Sequence, residues 1–191
     1  MRYLVIMFVL SLAMYGCNDA PLPKPRGYIR IDLPEKKYQT YDTTFPYAFE
    51  YPVYSRIVPA RHAGENSYWV DIEIPRYKAT IYLSYKPVKG NLRTLTEDSR
   101  TFVMKHIPRA TSIDQSTIVD PARKVFGTVW YIKGQETASP CQFFLTDSTH
   151  HFLRGALYFN VKPNNDSLEP VIRFLAADIE HLAATLRWKA K

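Results

Sequence analysis

The first seventeen residues constrain the fold most. They predict that the folded domain lacks residues 1–16 and cannot use Cys17 in a disulfide. Met1-Arg2 is a short positive start, and Tyr3 to Tyr15 is an apolar run that ends at Gly16-Cys17. A charged region, an apolar region and a small residue, in that order, are typical of a bacterial signal peptide. The run is shorter than the roughly 20 residues that a membrane-spanning helix needs.

The Gly16-Cys17 pair resembles a lipobox, although Met14 and Tyr15 depart from its usual residues. In a lipobox the leader, here residues 1–16, is removed, and the new N-terminal cysteine receives a diacylglycerol and an N-acyl chain. Two alternatives are an ordinary secretory leader with an incidental cysteine and an uncleaved helical anchor. We predict an acylated lipoprotein of the cell envelope with no cofactor besides this covalent lipid.

Cysteine usage then limits what can stabilise the domain. The chain has only two cysteines, and lipid on Cys17 leaves Cys141 as the sole thiol. An internal disulfide is thereby excluded, so the fold must be held by its core. The net charge is +7, but the sequence contains no nucleic-acid-binding signature. We expect the positive charge to favour anionic lipid headgroups or an acidic protein partner.

Residues 17–27 are predicted to form a tether between the lipid and a single globular domain, residues 28–191. Prolines alternate at positions 21, 23 and 25 within Asn18 to Arg26. This pattern favours a polyproline II spacer of roughly 28 Å at 3.1 Å per residue. The domain would therefore stand just off the bilayer.

The remaining pattern predicts an α+β fold, a mostly antiparallel sheet with two covering helices. Alternating apolar and polar residues indicate strands over residues 28–33, 47–53, 70–74, 79–85, 112–119, 124–133, 141–146 and 151–161. One helix begins at Leu92 after a cap at Asn91 and ends before Pro108, and the other runs to about Trp188. The order of strands, helix, strands and helix resembles that of the PsbP-like sandwiches.

Neither the cysteine nor the histidines predict a catalytic or metal site. If the second hairpin turns at residues 148–149, Cys141 pairs with Ala156 and His150 lies roughly 20 Å away along the ladder. Cys141 then serves as a small apolar strand residue. His150 and His151 would point to opposite faces of a strand, so they could not hold a metal together.

Two features leave alternatives open. Asp71 and Glu73 share a strand face, as two-carboxylate hydrolysis would need, although a regular alternation explains them equally. Arg154 lies in an apolar strand and needs a polar partner, either in a structural ion pair or on another protein. An envelope hydrolase and a carrier of small apolar ligands within the sheet–helix interior are thus rivals to a protein that acts by contact.

Several stretches of the sequence are more distinctive than an alternating strand or helix pattern requires. QFFLTDST, FLRGALYFN and KPNNDSLEPVI in the C-terminal third, PKPRGYIRIDLP after Cys17 and the closing Arg187-Trp188-Lys189 resemble the gliding motility lipoprotein D (GldD) family of Bacteroidetes. The likeness spans nearly the whole mature chain and keeps the order of its parts.

This resemblance implies a membrane-anchored accessory of the gliding machinery, which is coupled to type IX protein secretion. It implies no enzymatic activity, no small-molecule substrate and no functional residue besides Cys17. Asn18-Asp19-Ala20 lacks an acidic surface-export signal, so we expect the domain to face the periplasm. The residues that we expect to contact envelope partners are Arg26, Tyr28, Arg30, Asp147, Arg154, Tyr158, Asn160, Lys162 and Asn164.

Overall fold

The structure is a computed structural model that describes residues 31–60 and 67–189. The predicted leader, Cys17, the tether and the predicted contact residues Arg26, Tyr28 and Arg30 lie outside the described residues. The described residues belong to one compact unit, Ile31–Lys191.

Ten strands, two α-helices and two short 3-10 helices make up the regular structure of the described residues. The strands are β1 (Tyr38–Asp42), β2 (Tyr47–Pro52), β3 (Arg56–Pro59), β4 (Val70–Ile74), β5 (Ala79–Pro87), β6 (Ser112–Asp120), β7 (Val125–Lys133), β8 (Cys141–Thr146), β9 (His151–Phe159) and β10 (Arg187–Trp188). The helices are α1 (Leu92–Met104) and α2 (Asn165–Thr185), and the 3-10 helices are Pro75–Tyr77 and Ile107–Arg109.

Seven strands form one sheet in the order β3-β4-β5-β9-β8-β7-β6, with every neighbouring pair antiparallel. The predicted hairpin of β4 and β5 is confirmed, and its apolar residues share one face, with Ile72 opposite Ile81. The predicted α+β class is confirmed as well.

The hairpin of β8 and β9 is confirmed, but its predicted register is wrong by one residue. Thr146 pairs with Phe152, and Cys141 pairs with Leu157 instead of Ala156. The turn is longer than expected because the Asp147 carboxylate accepts backbone N–H groups as far as His151. His150 consequently lies in the turn instead of on a strand face.

One face of the large sheet builds the main core against α2 and the small sheet β1-β2-β10. Apolar residues recur at helical spacing along α2, and Val171, Leu175 and Ile179 are almost fully buried. Tyr47 and Phe49 of β2 enter the same core. The space between sheet and α2, where a carrier pocket was one alternative, is occupied by these side chains.

The other face is covered in part by α1. Val103 of α1 is fully buried against Trp130 and Ile132 of β7. Asn91 was expected to cap α1, but its side chain accepts the Lys89 backbone N–H at 2.8 Å and makes no cap hydrogen bond. The molecule is therefore layered as α1, the large sheet, and then α2 with the small sheet.

Two predicted boundaries differ at the chain ends. Residues 31–33 were expected to continue a strand but form none, and the Asp32 carbonyl accepts a hydrogen bond from the Arg76 side chain at 2.9 Å. The last helix ends at Thr185 because Leu186 is extended, with φ −57° and ψ 134°. Arg187 and Trp188 then pair with β2.

Candidate functional site

A groove opens where α1 leaves β4, β5 and β9 uncovered, and its volume is about 560 Å³. Its apolar walls include Trp69, Leu95, Phe102 and Phe152. The Trp69 ring is fixed by a hydrogen bond from its Nε1 to the Tyr85 carbonyl at 2.7 Å. Such a concave, mostly apolar surface with a few polar groups is the usual form of a ligand or docking site.

Arg154 lies in this groove on the strand face that α1 covers in part. Its guanidinium donates to Gln142 Oε1 at 2.8 Å and lies 4.5 Å from the centroid of the Phe102 ring. Burial lowers the pKa of Arg154, yet a guanidinium stays protonated in proteins. The expected structural ion pair is not found, because no carboxylate of the described chain lies within ion-pair distance.

Gln142 connects Arg154 to the end of α1. Its Oε1 accepts from Arg154, and its Nε2 lies 3.0 Å from His106 Nε2. An amide N–H can only donate, so His106 must accept at Nε2 and be neutral. Burial, and then the charge of Arg154, lower the pKa of His106, in agreement with that role.

The two carboxylates of β4 share a face, as predicted, but differ in their surroundings. Glu73 accepts Arg56 Nε at 2.8 Å and forms an ion pair with its Nη2 at 2.7 Å. Asp71, only 4% exposed, lines the groove instead of facing solvent. Its cross-strand partner Tyr82 lines the same groove.

The predicted contact residues of the C-terminal third are divided among three places. Arg154 and Tyr158 share a face of β9, and Tyr158 packs on Tyr82 with ring centroids 5.7 Å apart. Asp147 lies in the turn before β9, roughly 30 Å from the end of this nine-residue strand. Exposed positions in the loop between β9 and α2 are occupied by Asn160, Lys162 and Asn164.

The Asp147 carboxylate is engaged within its own turn. Oδ1 accepts backbone N–H groups of Thr149, His150 and His151 at 2.8–2.9 Å, and Oδ2 accepts the Thr149 hydroxyl at 3.0 Å. Burial would raise the pKa of Asp147, but these hydrogen bonds outweigh it and lower the pKa to about 2. This side chain therefore stabilises the turn, whatever else it contacts.

Comparison with known proteins places the chain in a family. The family model for the gliding motility lipoprotein GldD matches residues 18–188. The chain belongs to the GldD family. As a member, it is a membrane-anchored lipoprotein of the cell envelope associated with gliding motility, and the predicted family is confirmed.

The other comparisons add little to the GldD assignment. The fold is similar to the solution structure of cyanobacterial PsbP (CyanoP) from Synechocystis sp. PCC 6803, with 12% identity and a TM-score of 0.48. That likeness covers 88% of this chain and 99% of the other. A search of curated proteins finds no match.

This GldD protein also has a buried charge cluster that the sequence reading missed. Asp178 of α2, whose side chain is 1% exposed, accepts Lys36 Nζ at 2.5 Å, Tyr38 OH at 3.0 Å and Tyr54 OH at 2.5 Å. Burial first, then Asp178, raises the pKa of Tyr38 to about 12. The available signal was that Asp178 lies at helical spacing from the apolar residues Leu175 and Leu182.

The predicted role of Cys141 in the GldD chain is confirmed. It is fully buried in β8, and burial raises the pKa of its thiol far above the usual value. Across the described residues, no group of three or more His, Cys, Asp or Glu side chains could hold a metal ion. No helix in that part of the chain has the length and apolar character to cross a membrane.

Proposed function

We propose that this chain is a periplasm-facing accessory lipoprotein of the gliding machinery, linked to type IX protein secretion, that acts by protein contact. The observation that carries the proposal is the family match over residues 18–188. The predicted leader of residues 1–16, followed by Cys17, is consistent with it. No catalytic role is proposed for the two carboxylates, since Arg56 holds Glu73 in an ion pair and only Asp71 lines the groove.

In this proposal Cys17 carries the diacylglycerol and the N-acyl chain, and residues 18–27 separate the domain from the bilayer. One lipid-modified residue with more than one chain is enough for stable anchoring. Labelling cells with palmitate is expected to mark the wild-type protein and not a Cys17→Ala variant. Palmitate incorporation that persists in the variant would place the lipid elsewhere.

The contact surface that we propose comprises an exposed loop of the domain and a stretch that lies outside the described residues. The first is the loop between β9 and α2, which presents polar side chains without internal partners among the described residues: Asn160, Lys162 and Asn164. The second is the membrane-proximal stretch with Arg26, Tyr28 and Arg30, where cationic and aromatic groups suit protein interfaces. Tyr158, Arg154 and Asp147 stay as further predicted contacts.

Site-specific crosslinking in native envelopes tests this surface. A photo-reactive residue at Lys162 is expected to capture a gliding or secretion protein, because that side chain is exposed in the loop. The matched control is the same residue at Lys124, which is exposed in the turn between β6 and β7. Equal capture at both positions would argue against a defined contact in this loop.

A further inference from the structure

The groove beside α1 has the composition of a small-molecule site. Its volume of about 560 Å³ lies within the range of roughly 300–1,000 Å³ that is typical of ligand pockets. Phe102 remains 44% exposed, and Tyr82 remains 41% exposed. Exposed aromatic rings around a concavity are unfavourable in water, so a ligand that covers them would be stabilised.

Arg154 gives this groove a specific polar requirement. A guanidinium has five N–H donors, and within the described residues Arg154 uses one of them, to Gln142. The Phe102 ring lies against the guanidinium and Gln142 fixes one edge, so the group is held in place before a ligand arrives. Partly buried cations of this kind favour an anionic partner, and arginine matches a carboxylate with two parallel hydrogen bonds.

The other charges of the groove restrict which anion would fit. Among the described residues of its lining, Lys86 is a second cation and the exposed Asp98 is a carboxylate, whereas the carboxylate of Asp71 is buried and already engaged. A polyanion such as a phosphate cluster would meet these like charges. A single carboxylate can approach Arg154 and leave the rest of the ligand for the apolar walls.

We propose that the groove binds an amphipathic monocarboxylate, an acid whose carboxylate meets Arg154 and whose apolar chain lies between α1 and β5. The chain would cover Phe102, Trp69 and Leu95. This site is separate from the loop of residues 160–164, none of which lines the groove.

The probe for this site is decanoate, which has one carboxylate and a ten-carbon chain. We would titrate the full-length acylated protein in phosphatidylcholine nanodiscs by calorimetry, with empty nanodiscs subtracted. Decyltrimethylammonium, with the same chain length and the opposite charge, serves as the second probe. Saturable binding of decanoate, at least about tenfold tighter than that of the cation, is expected.

Two variants connect binding to the groove. Arg154→Gln removes the charge and should weaken decanoate binding by about tenfold or more. Ser84→Phe, at the position opposite Arg154 on β5, should fill the groove and abolish binding while Arg154 stays in place. Arg100→Gln removes an exposed arginine of α1 that is outside the groove lining, and it should leave affinity unchanged. Thermal unfolding midpoints would verify that each variant folds.

Three results would overturn the proposal. They are no saturable decanoate binding by the wild type, equal affinities of folded Arg154→Gln and wild type, and equal affinities for the anionic and cationic probes. Crosslinking from a photo-reactive residue at Tyr82 that captures a protein in native envelopes would instead assign the groove to a protein partner.

Discussion

Asp178 shows how a single residue fixes the start of the described chain to α2. Its carboxylate receives Lys36 from the stretch before β1 and two tyrosine hydroxyls from β1 and the β2–β3 turn. Lys36 also donates to the Phe174 carbonyl at 2.6 Å and lies over the Phe174 ring. Breaking a buried pair by removing one partner leaves the other charge uncompensated.

We therefore predict that Asp178→Asn lowers the free energy of unfolding by about 2 kcal/mol, less than for a fully buried pair because Lys36 is 29% exposed. Urea denaturation measures the change. Asp98→Asn, an exposed carboxylate of α1, is the control and should change stability by less than about 0.5 kcal/mol. Comparable losses in both variants would mean that the cluster contributes nothing specific.

Asp147 is a second single residue that contributes to the free energy of unfolding, and its contribution depends on pH. Its pKa in the folded state is about 2, below the ordinary value of 3.8, so the unfolded chain binds the proton more readily. The stabilisation from the ionised Asp147 carboxylate is fully present at pH values above its pKa in the unfolded chain. It is lost as the pH falls through its pKa in the folded state.

Between pH 5 and pH 2, the wild type should therefore lose about 2 kcal/mol more stability than Asp147→Asn. Denaturant unfolding of both proteins at a series of pH values measures this difference. The titration of the other carboxylates is common to both proteins and cancels when their free energies of unfolding are subtracted. Parallel curves for the two proteins would contradict the assignment of the low pKa to the turn.

At the scale of elements, the register of β8 and β9 depends on Gly155. A Cβ at Gly155 would overlap Cζ and Cε1 of the Phe143 ring, which lies directly across the strand pair. The fully buried Phe143 thus occupies space that only glycine leaves open. The central hairpin packs so tightly because a large ring faces a residue without a side chain.

Gly155→Ala should accordingly cost about 1–3 kcal/mol through overpacking. Phe143→Leu alone should also destabilise, but in the double variant the smaller side chain makes room for the methyl group. A double-mutant cycle by chemical denaturation should show a favourable coupling of about 1 kcal/mol or more. Additive losses would indicate that Gly155 acts through backbone freedom instead of through the ring.

Elements could be predicted from the sequence where their signal is local. The alternation of Val70 to Ile74 and the helical spacing of α2 specify buried faces directly. The register of the second hairpin could not be predicted from the sequence, because it depends on how many backbone N–H groups donate to the Asp147 carboxylate. Residues 31–33, the described part of the strand expected over residues 28–33, form no strand, and the Asp32 carbonyl accepts a hydrogen bond from Arg76, which is distant in sequence.

The candidate site was less predictable than the fold for the same reason. Arg154 stood out in the sequence as a charge within an apolar strand. Its actual neighbours, Gln142 and Phe102, come from β8 and α1, and their convergence depends on strand order and on how much of the sheet α1 covers. Asp178 had a visible signal, but its partner Lys36 lies 142 positions away.

At the scale of the whole molecule, the described domain has distinct surfaces on its two sides. The α2 side is a filled core that is tied to the start of the domain by Lys36. The α1 side has the groove with Arg154. In the function that we propose, the lipid anchor holds the protein at the membrane and the folded domain presents these surfaces to its partners.

The most direct test of this account is complementation in a gliding bacterium whose own family member has been deleted. Colony spreading and secretion of a type IX substrate would be measured with the wild type and with Cys17→Ala, at equal protein levels. We expect the wild type to restore both activities and Cys17→Ala to restore neither. Full spreading and secretion with the Cys17→Ala protein would contradict it.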